Sequence, residues 1–294
     1  MSTPSADGNG TERAFTDSYG IRIVFDHYAA AAEPRGVVQL LHGVGEHAGR
    51  YGALISRLTG AGFIVYADDH RGHGRTGLGQ HGGDHRKLGT LGPGGLRAAK
   101  EACGQLTELI HSENPDLPLV LIGHSWGSFL AQMLVNEHAD AYDAVVLSGS
   151  AFRWPGSLNA GDLNAPWKAP GAMGTEWLSS DLSVGRAFLD DPLTTTDSVL
   201  KLFGPVDGLR LFGRPARNLP RDVPVLLMVG RDDTVGGPRS VHRLANAYRT
   251  RSGLTDVTTL VYPGARHEIF NETISQQVSD DLLAWLDARF PMRG

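Results

Sequence analysis

The stretch Leu119-Val120-Leu121-Ile122-Gly123-His124-Ser125-Trp126-Gly127-Ser128 decides the fold. Four apolar residues in a row suit a strand buried on both faces. They run into Gly-x-Ser-x-Gly, and Phe129, Met133 and Leu134 follow with helical spacing. Strand, sharp turn and helix in that order are the context a nucleophile elbow requires. Such a turn lifts the serine hydroxyl clear of the sheet. It also aims the first free N–H groups of the helix at whatever the hydroxyl attacks. A side chain at Gly123 or Gly127 is expected to collide with the neighbouring strand or helix. Without that strand and helix, the pentapeptide is only a glycine-rich turn containing a serine.

Working outward, the segment 37–41 reads as a strand opening into a loop with Gly43 and Gly45, which suits a backbone that approaches a ligand closely. A helix is expected over 50–59, stopped by Gly60-Ala61-Gly62, and a strand over 63–67. One or two strands are expected over 15–28 with a turn at Tyr19-Gly20, a glycine-rich loop over 77–95, and a helix over 96–110. After the elbow come strands at 144–147, 223–229 and 257–261, with helices at 239–248 and 275–290. Strand and helix in alternation predict an α/β fold with a mostly parallel sheet flanked by helices. The rhythm breaks between 151 and 221, where prolines, glycines and Trp154, Trp167 and Trp177 crowd together. The expected organisation is a disordered leader over 1–12, a core over 13–150 and 222–294, and an inserted helical cap over 151–221.

The 294 residues are 41% hydrophobic and 20% charged, with a net charge of −5. That describes an ordinary globular protein and predicts no nucleic-acid partner. A single cysteine, Cys103, excludes an intramolecular disulfide and a cysteine-based metal cluster, and its helical setting reads as core. The first ten residues carry no apolar run, so neither a secretory signal nor an integral membrane segment is expected, and the default location is cytoplasmic.

Three residue types then fall at the carboxyl ends of parallel strands, where open sheets bind ligands: Ser125, an aspartate in Gly230-Arg231-Asp232-Asp233, and His267. A neutral imidazole can take the serine proton and return it to a leaving group, while a carboxylate fixes the imidazole tautomer. Ser, Asp, His is also the chain order expected when an elbow carries the nucleophile. His267 is chosen among the twelve histidines because it follows a late strand in a glycine-containing loop. Residue physics alone leaves Asp232 and Asp233 open.

These motifs resemble the α/β-hydrolases of the monoacylglycerol lipase and lysophospholipase group, the serine aminopeptidase-like branch. His42-Gly43-Val44-Gly45-Glu46-His47 with Arg50-Tyr51 matches the group's HGxGEHxxRY. Asp69-His70-Arg71-Gly72-His73-Gly74 matches its DxRGHGxS, with Thr76 in place of the serine. The elbow carries Trp126 where methionine is commoner, the loop 89–95 is less acidic than the group's, and Asp191-Pro192-Leu193 resembles a recurrent cap signature. The resemblance spans about 15–290. It implies Asp233 as the carboxylate and an oxyanion hole from the N–H groups of Val44 and Trp126, and residue reasoning agrees with those two donors. His42, His70 and His73 are read as loop-holding residues, His124 as packing beside the elbow, and Glu46 as an anchor of the oxyanion loop. No cofactor and no metal is expected, since no carboxylate-rich cluster joins His70 and His73.

The expected activity is hydrolysis of carboxylic esters, monoacylglycerol-like or lysophospholipid-like, through an acyl-enzyme. Trp154, Trp177 and Phe188 are candidate substrate contacts in an apolar cap, which is also where a lipid surface would touch the chain. A thioesterase, an amidase or peptidase, or a biosynthetic ester hydrolase could use the same triad, because function lies in the pocket. A binding protein that has lost turnover is the remaining class, and an intact Ser, Asp and His speak against it.

Overall fold

The computed structural model describes residues 3–4, 10–159 and 161–292. Among the described residues one sheet runs β1-β2-β3-β5-β4-β6-β7-β8-β9. The strands are β1 (Thr3–Pro4), β2 (Thr11–Thr16), β3 (Arg22–Tyr28), β4 (Gly36–Leu41), β5 (Phe63–Asp68), β6 (Leu119–His124), β7 (Ala144–Ser148), β8 (Val225–Gly230) and β9 (Val257–Tyr262). The first three pair antiparallel, and β3 joins β5 antiparallel. From β5 to β9 all pairs are parallel.

Every residue of β4, β6, β7 and β8 is buried. That is why these strands read as unbroken apolar runs: helices cover both faces. Successive side chains still alternate. Val37 and Leu121 enter one core with Leu106 of α3 (Gly95–Glu113), Leu130 of α4 (Trp126–His138) and Leu244 of α7 (Gly237–Ala247). Val38, Val120 and Ile122 enter the other, with Leu54 of α1 (Gly52–Gly60) and Leu282 of α8 (Ser275–Asp287). Each fully buried aliphatic side chain contributes about 1.5–3 kcal/mol.

Two expectations need correcting. Of the leader, residues 1, 2 and 5–9 lie outside the described residues, but Thr11 and Glu12 open β2, paired with His27 and Asp26. The glycine-rich loop begins as a helix, α2 (Gly74–Gln80). Three glycines in seven residues conceal it. Its start is stabilised from outside: the Asp69 carboxylate accepts the Arg75 N–H at 2.9 Å and the Arg75 Nε–H at 2.7 Å.

Between β7 and β8 lie α5 (Leu182–Asp190) and α6 (Val199–Arg210), with long irregular stretches around them. The α6 helix breaks at Gly204 (φ 71°, ψ 175°), just before Pro205. Its second half is held to the core. Asp207 accepts the Leu96 N–H at the start of α3 at 3.0 Å, and the buried Arg153 donates to the Leu211 carbonyl at 2.8 Å.

Candidate active site

The turn after β6 carries the strain that its sequence implies. Ser125 sits at φ 51°, ψ −121°, one of two non-glycine residues with positive φ among the described residues. A β-carbon on Gly123 would lie 2.6 Å from the Gly127 carbonyl oxygen. One on Gly127 would lie 2.5 Å from the His42 carbonyl oxygen and closer still to that of Leu41. The helix therefore starts hard against the end of β4, and only glycine allows it. The Ser125 N–H donates to the Ser148 carbonyl at 2.9 Å, tying the turn to β7. Backbone strain of this kind costs about 1–3 kcal/mol and persists where surrounding packing over-determines it.

His267 and Asp233 meet. The imidazole Nδ1–H donates to Asp233 Oδ2 at 2.9 Å, with both side chains buried. The other oxygen, Oδ1, accepts the Val235 N–H at 2.7 Å. Asp232 is exposed, so the tight loop turns one aspartate inward and leaves the other in solvent. Burial raises the Asp233 carboxyl, but His267 and the Val235 N–H outweigh it and hold the group below its ordinary value. Burial depresses the His267 imidazole, and Asp233, Glu268 and Glu46 together outweigh that and hold it above 6.5. Nε2 of His267 is buried and has no hydrogen-bond partner, so Ser125 and His267 are not hydrogen-bonded here. Such bonds often tighten only when substrate binds.

The loop after β4 passes directly over the serine: a β-carbon on Gly43 would be 3.1 Å from Ser125 Cβ. That loop is held at both ends. His42 Nδ1–H donates to the Gly43 carbonyl at 2.7 Å while its Nε2 accepts the His70 N–H at 2.9 Å, which fixes the tautomer. Burial, with His70 and His73 nearby, keeps His42 well below the usual imidazole range and neutral. Glu46 accepts the Gly43 N–H at 2.7 Å and the Tyr51 hydroxyl at 2.7 Å, as expected of an anchor. Among the described residues neither the Val44 nor the Trp126 N–H meets an acceptor. His124 is neutral, pushed down to about 3 by burial and by His267, whose ring centroid lies 4.8 Å away. The Thr76 hydroxyl accepts the Val24 N–H at 2.8 Å.

The Trp126 ring packs under α6, 5.1 Å from Phe203 and 5.0 Å from His73. Of the candidate substrate contacts, Trp177 packs against His267, ring centroids 5.0 Å apart and tilted by 37°. Phe188 is buried beneath the Arg50 guanidinium at 4.8 Å. Trp154 is 41% exposed, with the Arg214 guanidinium over its ring at 3.5 Å. A hollow of about 590 Å³ beside Asp162 and Lys168 is lined by none of these residues.

Asp68, His70 and Cys103 could offer metal ligands within 4.8 Å of one another. They fit a hydrogen bond better. His70 Nδ1 and Asp68 Oδ2 are 2.7 Å apart, whereas two ligands on a tetrahedral zinc ion stand roughly 3.3 Å apart.

Sequence reasoning missed Glu268. Its carboxylate accepts two hydrogen bonds from Arg50 at 2.7 and 2.8 Å, and Arg50 also donates to Glu46 at 2.6 Å. The missed signal was Arg50, four residues after Glu46 on a turn. The pairing of the insert with the histidine loop was also invisible: the His267 and Glu268 N–H groups donate to the Trp177 and Leu178 carbonyls at 3.4 and 2.7 Å.

Residues 32–274 match the family described as Serine aminopeptidase, S33. The chain is 33% identical to a monoacylglycerol lipase of Mycolicibacterium smegmatis, over 94% of this chain and 96% of that one. It is 26% identical to a monoglyceride lipase of Mus musculus, over 91% and 88%. Among solved structures it is similar to a thermostable carboxyl esterase from Bacillus coagulans (26% identity, TM-score 0.82, 96% and 99% covered). A monoacylglycerol lipase from Paleococcus ferrophilus is also similar (26%, TM-score 0.70, 91% and 99%).

Proposed function

Because the chain belongs to the serine aminopeptidase S33 family of α/β-hydrolases, we propose that it hydrolyses carboxylic esters of monoacylglycerol type, with Ser125, His267 and Asp233 as catalytic residues. The observation that carries this reading is the buried Asp233–His267 hydrogen bond of 2.9 Å at the same sheet edge as a serine held at φ 51°. The relatives named as monoacylglycerol lipases support the substrate class.

Nε2 of His267 takes the Ser125 proton as Oγ bonds to the ester carbonyl carbon. Asp233 stabilises the imidazolium that forms. Negative charge develops on the carbonyl oxygen, and the free N–H groups of Val44 and Trp126 stabilise it there. Collapse breaks the bond to the alcohol oxygen, and His267 returns the proton to the departing alcohol. Water, deprotonated by His267, then attacks the acyl-enzyme and releases the carboxylic acid. The Ser125 residue is 9% and His267 1% exposed, so the proton transfers take place largely out of contact with bulk water.

The test is covalent labelling by a fluorophosphonate, with turnover of p-nitrophenyl esters and monoacylglycerols of graded chain length beside a matched amide and thioester. Labelling and ester turnover lost in Ser125→Ala support the reading. A folded protein that neither labels nor turns over any ester refutes it. Faster turnover of the amide or thioester would move the substrate class.

A further inference from the structure

We propose that Glu268, with Arg50, is a positioning residue for catalysis: it holds the His267 loop and the oxyanion loop at a fixed separation and supplies a second negative charge beside the imidazolium. This rests on the reading of Ser125, His267 and Asp233 given above.

Three elements converge on one guanidinium. Arg50 makes a two-point contact with Glu268, the residue after His267, at 2.7 and 2.8 Å. It reaches Glu46 at 2.6 Å, and Glu46 also holds the Gly43 N–H at 2.7 Å, one residue before the Val44 donor. Phe188, on α5, lies on the guanidinium face at 4.8 Å. A paired, planar contact of this kind fixes orientation as well as distance. All three charged side chains are at most 10% exposed, so water screens them little. Their relative position is therefore set by direct bonds between the segments that carry them. The Glu268 carboxylate is further held by Asn271 Nδ2–H at 2.9 Å, and its N–H is bonded to the Leu178 carbonyl.

The charges do not cancel. Two buried carboxylates share one guanidinium, leaving a net negative charge beside His267. The groups that face the imidazole are Asp233 from the loop after β8, Glu46 from the loop after β4, Glu268 from its own loop and the neutral His124 from the end of β6. Glu268 and Glu46 both favour its charged form. The imidazolium exists during both proton transfers, so a charge that favours it accelerates them. A purely structural ion pair would leave the pH profile unmoved.

The experiment measures kcat, KM and the pH profile of kcat/KM on p-nitrophenyl butyrate for wild type, Glu268→Gln, Arg50→Lys and Ser125→Ala. Rates of wild type, Glu268→Gln and Arg50→Lys are normalised to sites titrated by fluorophosphonate, so partial misfolding is removed from the comparison; Ser125→Ala, which has no site to titrate, is compared per mole of folded protein. Glu268→Gln, nearly the same shape, is expected to lower kcat about tenfold, leave KM within about threefold and move the acid limb down by about half a pH unit or more. Arg50→Lys keeps the charge but not the two-point contact, and is expected to lower kcat similarly. If kcat per titrated site and the acid limb in Glu268→Gln both match wild type while Ser125→Ala is inactive, the positioning role is overturned alone. If Ser125→Ala keeps full activity, the underlying site is wrong and the positioning role falls with it.

Discussion

Replacing Asp233 by asparagine tests the proposed site most sharply, because the structure dictates how the new amide must sit. The Val235 N–H donates to Oδ1 at 2.7 Å. In Asp233→Asn that donor demands an oxygen, so the amide oxygen takes the Oδ1 place and the NH2 group faces His267. The atom 2.9 Å from Nδ1 then becomes a donor where it had been an acceptor. Nδ1 must give up its proton, and the proton moves to Nε2, the nitrogen that has to accept from Ser125. The side chains at this contact are 1% and 0% exposed, so water cannot rescue the wrong tautomer. In a serine protease the same substitution lowers kcat by about 10⁴, close to 5.4 kcal/mol at 1.36 kcal/mol per decade. A loss of that order is expected here. Asp232→Asn, at an exposed position, is expected to stay within about twofold of wild type. The assay is kcat on p-nitrophenyl butyrate, with ¹⁵N-histidine NMR reporting the tautomer. An Asp233→Asn enzyme within tenfold of wild type, or an Asp232→Asn enzyme that is the more damaged, would refute the reasoning.

Gly127→Ala forces the start of α4 away from the Leu41 and His42 carbonyls. It is expected to destabilise by about 1–3 kcal/mol and to cut kcat/KM by about 10² through displacement of Ser125. Gly79→Ala, with nothing within 4 Å of its new methyl, is expected to hold or raise stability by up to about 1 kcal/mol. Thermal melts and rates check the pair, and equal behaviour would contradict the close approach. The Asp233–His267 pair makes stability depend on pH. His267 is raised above 6.5, so its contribution is full below 6.5 and lost as pH rises through the folded value. Asp233 is lowered below 3.8, so its contribution is full above 3.8 and lost as pH falls through its folded value. Between those limits both are present, so the Asp233→Asn melting temperature should trail wild type more at pH 5.5 than at pH 9. A deficit independent of pH would contradict the ion pair.

The parallel sheet and the elbow were legible because their physics is local. A strand buried on both faces must be apolar throughout, and a helix started against a neighbouring strand needs glycine in its first turn, here Gly127. Asp233 was harder, since nothing in Asp232-Asp233 says which carboxylate turns inward until the His267 loop stands opposite. Glu268 was illegible for a related reason. It lies 218 residues from Arg50, and no periodicity links a loop after β9 to one after β4. The α2 helix escaped notice because its stabilising contact comes from the Asp69 side chain, while its own glycines argue against helix. The Arg214 guanidinium over the Trp154 ring was equally illegible, since 60 residues separate the two and nothing in the sequence pairs them.

The pairing of Trp177 and Leu178 carbonyls with the His267 and Glu268 N–H groups bears on how such proteins diversify. A cap is often treated as an exchangeable module that sets which acyl groups enter while the core supplies the rate. Here the segment that would select the guest is hydrogen-bonded to the loop of the proposed base. Grafting a foreign cap onto this core would therefore transplant part of the base's support along with the new specificity. A chimera joined on either side of residues 177–178 would separate the two inheritances.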